Sequence, residues 1–489
     1  MWLLLVLTLT TTLTTLARAQ STTGCAAPTP SSGVRPSVAS GYRLQVVASG
    51  LAKPRGLALD RNGNLLVVEQ SRGVVSSHRL QDRDGCVTIS NSRDLTSGLR
   101  LNHGIVLSQD GRTLYVSNPT SVYSFAYDAT GQAVSNQQIV VTNMTTTDHT
   151  TRTLLLPQSA PDLLIVTRGS TSNLDFESAS LASGNSQVKA FNLTNATGTY
   201  DFNTAGLRLG WGLRNEVGIA EHPVSGGIYG VENSADQIFR YGVDVHQNNP
   251  AEELNFFGYL NGTPYARQGD FFGYPWCLTA WNVRDLPNNN NLTTGQQFAF
   301  NASPELNNQN RTDEFCAAQV APRLSFHAHM APLDIKFNNT GREAWITFHG
   351  SWNRAQPVGY KVSLVSFNQN GEPVAPPDST TAAVDVVTNM DNSVCPSRCF
   401  RPVGLVFDTQ GRLFMSSDST GEIYMITKVD AAAANGTISA TSAVSSGASS
   451  TSSGGRQTSS SVASSATADW SRGSWAASSW FFLVLAFLF

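Results

Sequence analysis

The sequence predicts an all-β fold, a six-bladed β-propeller, from three observations. Charged residues make up only 14% of the 489, while Gly (40) and Pro (21) are plentiful, the composition of a turn-rich β protein. The apolar runs are short and rich in Val, Ile and Leu, and few windows hold a helical i, i+3, i+4, i+7 stripe. A unit of apolar strand, Asp/Asn-Gly type turn, second apolar strand and third strand also recurs along residues 42–428. Strand pairs joined by such turns are hairpins. A small sheet repeated about six times buries its faces only against its neighbours, which is the propeller solution.

In chain order, residues 1–19, "MWLLLVLTLTTTLTTLARA", are apolar and end in Ala17-Arg18-Ala19. They read as a secretory signal peptide, although the usual positive start is missing. Residues 20–41 form an N-terminal extension. The clearest repeat is "PRGLALDRNGNLLVVEQSRGVVSSHRL" (54–80). It returns at 102–127, 214–241 and 401–426, with less regular copies at 151–193 and 331–367. The propeller is thereby expected over 42–430.

Residues 431–465 are a Ser/Thr/Gly-rich stalk that cannot bury a core. Residues 466–489 end in "WFFLVLAFLF". Ten apolar residues are too short to cross a hydrocarbon core of about 30 Å as a helix. Small residues, a spacer and a terminal apolar tail match a signal exchanged for glycosylphosphatidylinositol, so the expected membrane contact is through a lipid anchor only.

Secretion makes the six cysteines, all beyond the signal peptide, read as three disulfides. Cys395 and Cys399 can staple one loop. Cys277 with Cys316 and Cys25 with Cys86 follow by elimination, one pairing among fifteen. No cysteine or histidine cluster has zinc spacing. Sequons at Asn143, Asn192, Asn195, Asn291, Asn301, Asn310 and Asn338 mark surface loops of a glycoprotein. A formal net charge of -3 with no basic stripe leaves no electrostatic footprint for nucleic acid.

In a propeller the innermost strand of each blade starts beside the axis, so unit starts converge on one pocket. Here they carry Arg55, His103, His149 with Arg152, Arg214 with Asn215, His327 with His329, and Arg401. Several cations at equivalent positions imply an anionic ligand in the centre.

The ordered series "DHTTRTLLLP", "DLLIVTRGSTSN", "LGWGLRNEVGIAEHP", "VENSADQI", "PAEELN", "GYPW" and "HGSWNRAQPVGYKV" resembles the soluble quinoprotein glucose and sorbosone dehydrogenases. Secreted fungal pyranose dehydrogenases are similar. The resemblance covers nearly the whole propeller and implies pyrroloquinoline quinone (PQQ) and Ca2+ as cofactors. It implies that His149 is the general base on a substrate hydroxyl, a task suited to a side chain of pKa about 6.5. Arg214 and Asn215 match the pair that contacts the quinone, where a fixed guanidinium stabilises developing negative charge.

PQQ has three carboxylates, which bidentate arginines grip well. Arg55 and Arg401, then Arg354 and Lys361, are the candidates, with His329 facing the pocket and Trp352 placed to stack on a flat cofactor. Val231 and Glu232 match the loop whose backbone carbonyls hold calcium, although the family more often has Gly-Pro there. Asp236, Glu252 and Glu253 are either added carboxylates or solvated acids. "HAHMAP" departs from the glucose enzymes at the substrate rim, so glucose is not assigned.

The expected function is sugar oxidation with electrons passed to an external acceptor: a cytochrome, a copper oxygenase or a quinone. No Rossmann fingerprint or haem-attachment motif is visible. The alternatives are a calcium-dependent sugar lactonase, which needs no central arginines, and a non-catalytic propeller binding glycans or proteins.

Overall fold

The computed structural model describes residues 28–30, 32–194, 198–289, 291–300 and 311–429. Six four-stranded antiparallel units follow one another along the chain. The first is Pro54–Leu59, Asn64–Glu69, Val74–Arg83 and Cys86–Asp94. The second is Ile105–Leu107, Thr113–Ser117, Val122–Asp128 and Ala133–Thr142. The third is Leu154–Leu155, Leu163–Arg168, Gln187–Asn192 and Leu207–Trp211. The fourth is Glu216–Glu221, Gly227–Glu232, Glu252–Tyr259 and Leu324–Phe326.

The fifth blade, Pro332–Phe337, Glu343–Phe348, Lys361–Ser366 and Ala383–Thr388, gains an edge from Ser37–Val38, in the expected extension. The sixth takes Pro402–Phe407, Leu413–Ser417 and Glu422–Lys428 from one end of the propeller and Tyr42–Ala48 from the other. That pairing closes the ring. Helix is almost absent among the described residues; Asp313–Ala317 is one turn inside an insertion of the fourth blade.

The turns explain the repeat. Asp60 Oδ1 accepts from the amides of Asn62 (2.9 Å) and Asn64 (2.8 Å). Asp408 Oδ1 does the same for Gln410 and Arg412, both at 2.9 Å. Gly63 and Gly411 close these turns at φ 76° and 77°, where a Cβ is strained.

Around the axis the inner strands nearly touch. A Cβ on Gly56 would lie 2.0 Å from the His103 carbonyl, one on Gly104 2.1 Å from that of Arg152, and one on Gly404 2.2 Å from that of Arg55. Hydroxyls satisfy the same carbonyls: Ser117 Oγ donates to Arg152 O and Ser416 Oγ to Arg55 O, each at 2.6 Å. Apolar clusters fill the gaps between neighbouring blades, as with Leu66 and Val68 of the first against Ile105 and Val116 of the second.

Disulfides join Cys277 to Cys316 and Cys395 to Cys399. Cys86 is also disulfide-bonded; its expected partner Cys25 lies outside the described residues, as do the signal peptide, stalk and tail.

Candidate functional site

His149, on the loop before the third blade, meets the start of the fourth blade across Gly169. A Cβ there would be 2.7 Å from both His149 Cβ and Asn215 Oδ1. Arg152 does not reach the axis as expected. It is fully buried and turned back into its own loop, where it donates to the carbonyls of Met144, His149 and Thr151 and to Thr146 Oγ1 at 2.6–2.8 Å. It thus fixes the loop that presents His149.

His149 Nδ1 is 2.9 Å from Ser170 Oγ and 3.1 Å from Ser170 O. The Ser170 hydroxyl gives its own hydrogen to Ser172 O at 2.7 Å. Both groups facing Nδ1 therefore accept, which places the ring proton on Nδ1 and leaves a lone pair on Nε2. Burial, and then the charge of Arg214, pull the His149 pKa down to about 3. The ring is neutral, with Nε2 4.0 Å from the half-exposed Asp148.

Arg214 is held from three directions. Its guanidinium donates to Asn173 Oδ1 (2.8 Å), Asn173 O (3.2 Å), Asn233 O (3.3 Å) and Asp236 Oδ2 (3.0 Å). Asp236 also takes Asn353 Nδ2 at 2.9 Å and faces His329 Nδ1 at 3.3 Å. Burial alone would raise the Asp236 pKa, but Arg214 and His329 hold it below the usual carboxylate value. His329 moves the other way: burial opposes its charge, yet the bond to Asp236 raises its pKa.

The opposite side is a closed ionic knot. Arg55 Nη1 pairs with Asp418 Oδ2 at 2.7 Å, and Arg55 Nε approaches His103 Nδ1 at 3.4 Å. His349 donates Nε2–H to Asp418 Oδ1 at 2.8 Å. Its ring is neutral, pushed down to about 4 by burial and Arg401. Burial would raise the Asp418 pKa, but His349, Arg55 and Arg401 hold it far below its usual value. Arg401 donates to the carbonyls of His349 (3.1 Å) and Gly350 (3.0 Å). Residues 349–354 join the two sides, since His349 and Gly350 hold Arg401 while Asn353 reaches Asp236.

Three arginines, Arg55, Arg214 and Arg401, thus meet two largely buried carboxylates, Asp236 and Asp418, while Arg354 donates instead to Gln356 O (3.2 Å) and Asn248 Oδ1 (3.3 Å). Asn215 Oδ1, Asn353 Oδ1 and Arg354 Nη1 are buried without a hydrogen-bond partner. The excess of guanidinium fits an anionic ligand with carboxylate oxygens, while the two orphaned amide oxygens call for N–H or O–H donors on what binds there. Trp352 stands on the rim, 50% exposed.

Lys361 is not brought to this set. It opens the third strand of the fifth blade, roughly 10 Å from the inner strand at the usual strand spacing, and pairs with Asp385 at 2.8 Å. Val231 and Glu232 end a strand paired on both sides, and Glu252 and Glu253 are buried rather than solvated. The Glu232 carboxyl accepts from Arg214 N (2.5 Å) and Asn255 Nδ2 (3.0 Å). Burial with Glu253 and Glu216 beside it raises its pKa well above the ordinary value. Among the described residues no group of three or more His, Cys, Asp or Glu is arranged to hold a metal ion.

Asp418, His349 and Ser170 were missed as partners of the site. All three follow the ends of second strands, which antiparallel pairing returns to the start of the first.

The chain matches the TrAA12-like family over residues 36–429. It belongs to that family. A pyrroloquinoline quinone-dependent sugar dehydrogenase of Hypocrea jecorina (strain QM6a) is 45% identical over 399 residues, covering 80% of this chain and 89% of that protein. A pyrroloquinoline quinone-dependent pyranose dehydrogenase of Coprinopsis cinerea is 37% identical over 410 residues, 80% of this chain and 54% of that protein; the match spans about half the length of that relative. The holo form of the PQQ domain of a Coprinopsis cinerea pyranose dehydrogenase superposes with a TM-score of 0.75 at 36% identity, covering 82% of this chain and 98% of that one.

Proposed function

We propose that this protein oxidises a hydroxyl of a sugar with PQQ as its resident cofactor. The observation that carries the proposal is a neutral His149, its Nε2 lone pair free, set beside the fixed cation of Arg214. Arg55, Arg214, Arg354, Arg401 and Asn215 would hold the quinone through its carboxylates and carbonyls. When bound, PQQ supplies a hydride acceptor. His149 Nε2 takes the proton of the substrate hydroxyl, and the resulting imidazolium keeps its orientation through Nδ1–H to Ser170. Arg214, already desolvated and aimed by Asn173, Asn233 and Asp236, provides preorganised positive charge where negative charge accumulates.

The activities named for the family relatives support the same reading. Electrons then leave to an external acceptor, for which a cytochrome, a copper oxygenase and a diffusible quinone are the proposals. Secretion and lipid anchoring are further proposals from the two ends of the chain; release of the expressed protein from cells by phosphatidylinositol-specific phospholipase C tests them.

The deciding experiment titrates purified protein with PQQ in calcium-containing buffer and follows absorbance on adding aldoses and sugar lactones. Stoichiometric binding, reduction by a sugar, and loss of reduction but not of binding in His149→Ala support the proposal. Failure to bind PQQ with calcium present overturns it, and lactone hydrolysis would replace it with the lactonase reading.

A further inference from the structure

The segment His327-Ala328-His329 separates two spaces. His329 turns to Asp236 and the central site, while His327, two residues earlier, faces a cavity of about 300 Å³ between the fourth and fifth blades. The floor of this cavity is apolar, with Phe326 and Met330. Its walls carry the indole of Trp281 and the polar groups of Lys361, Asp385 and Thr388. None of the groups that hold Arg214 or Arg55 lines it.

Three features define what fits. The size is at the lower end for small-molecule sites, which run from roughly 300 Å³, so a single six-membered ring is accommodated and a chain of rings is not. The charges cancel: Lys361 Nζ donates to Asp385 Oδ1 at 2.8 Å, and His327, its pKa pushed down to about 4 by burial, is neutral. An ionic ligand therefore finds no unmatched partner, whereas hydroxyls can share the Lys361–Asp385 pair, since Asp385 already accepts a hydroxyl from Ser363 at 2.8 Å. The third feature is the aromatic wall. The Trp281 ring lies 5.4 Å from the His327 ring at 45°, giving an apolar plane next to hydrogen-bonding groups.

We propose that this interblade cavity is a second saccharide site, binding one neutral pyranose ring with its C–H face on Trp281 and its hydroxyls on Lys361, Asp385 and Thr388. It is separate from the oxidation site and does not depend on PQQ.

The test uses the full chain without added PQQ and two probes: methyl β-D-glucopyranoside, a closed ring, and sorbitol, an open chain with similar hydroxyls. Binding is read by saturation-transfer NMR and calorimetry in the wild type, His149→Ala, Trp281→Ala and Ala382→Phe, the last filling the cavity from its wall. The proposal expects the glycoside to bind the wild type and His149→Ala alike. It expects affinity to fall about tenfold in Trp281→Ala, a loss of about 1.4 kcal/mol, and to vanish in Ala382→Phe. Sorbitol should bind detectably to none. Absence of glycoside binding to the wild type overturns the proposal, and so does binding that survives both cavity variants but disappears in His149→Ala. A parallel PQQ titration of Trp281→Ala separates the two readings, because normal cofactor binding and reduction there leave the central site intact whatever the cavity does.

Discussion

Where the third and fourth blades meet the 349–354 loop of the fifth, His149 keeps an unshared lone pair on Nε2, and Asn215 and Asn353 each leave a buried oxygen without a donor. On the side formed by the fifth, sixth and first blades, Arg55, His349 and Asp418 close on one another at 2.7–2.8 Å. Histidine, arginine and aspartate build both. Where the carboxylate sits between an arginine and a histidine donor, the histidine proton is committed to holding it. Where a serine hydroxyl and a carbonyl take that proton instead, the other ring nitrogen is left to react. Two acceptors of little consequence elsewhere in a protein thereby separate a fixed positive platform from a proton acceptor.

The sharpest way to break this comparison is to remove the base. His149→Ala should lower the rate of cofactor reduction by about 10²–10⁴-fold with PQQ binding unchanged; a variant that keeps more than a tenth of wild-type rate denies His149 its role. On the other side the largest effect should fall on stability. Asp418→Ala leaves Arg55 buried and unpaired, a cost of about 3–5 kcal/mol, read as a lower urea midpoint at constant slope. A loss below about 1 kcal/mol would mean that the knot is solvated like a surface pair.

Acid should act with the same sign on the depressed histidines of both sides, His149 and His349. The His149, His327 and His349 pKa values are held at about 3, about 4 and about 4. From about 6.5 down to those values the unfolded chain takes up protons that the folded chain refuses. The stability these histidines contribute therefore rises with pH through this window and is lost on acidification, while the buried carboxyls of Glu232 and Glu252, whose pKa values burial raises, that of Glu252 to about 7, act with the opposite sign. Asp418, whose folded pKa is depressed, contributes above its unfolded value of about 3.9 and loses that contribution as the pH falls further. In cofactor-free protein, NMR should show the His149 ring neutral from about pH 6.5 to pH 4. An imidazole titration near pH 6.5 would contradict the neutral tautomer. The smallest effect belongs to Ser170→Ala, which removes one of two acceptors at Nδ1 and should slow reduction about three- to tenfold, with no change in PQQ affinity.

Much of the fold was legible because local chemistry repeats. Asp60 and Asp408 make the same turn, and Gly56, Gly104 and Gly404 recur where backbones approach within a Cβ's reach. The inner-strand starts were legible for the same reason, and Arg55, Arg214 and Arg401 are where that argument put them. Side-chain direction was not. Arg152 occupies an equivalent position but turns into its loop, since carbonyls there out-competed the axis for its donors. Lys361 shares a face with the site yet stands two strands out, a radial distance that linear spacing does not encode. Asp418 and Ser170 come from second-strand ends, so finding them required knowing which residues antiparallel pairing sets beside each start.

The pairing of Tyr42–Ala48 with Glu422–Lys428 also has a meaning in time. The strand that seals the sixth blade is made before any blade and then waits for the last strand to leave the ribosome. Until then the nascent chain carries an unpaired apolar strand at one end and an open sheet edge at the other, each a template for a neighbouring chain. Ring closure is the most sequence-distant contact in the propeller and is expected to come late in folding. A chain stalled or cut before Glu422 would present five complete blades and a persistent, aggregation-prone seam.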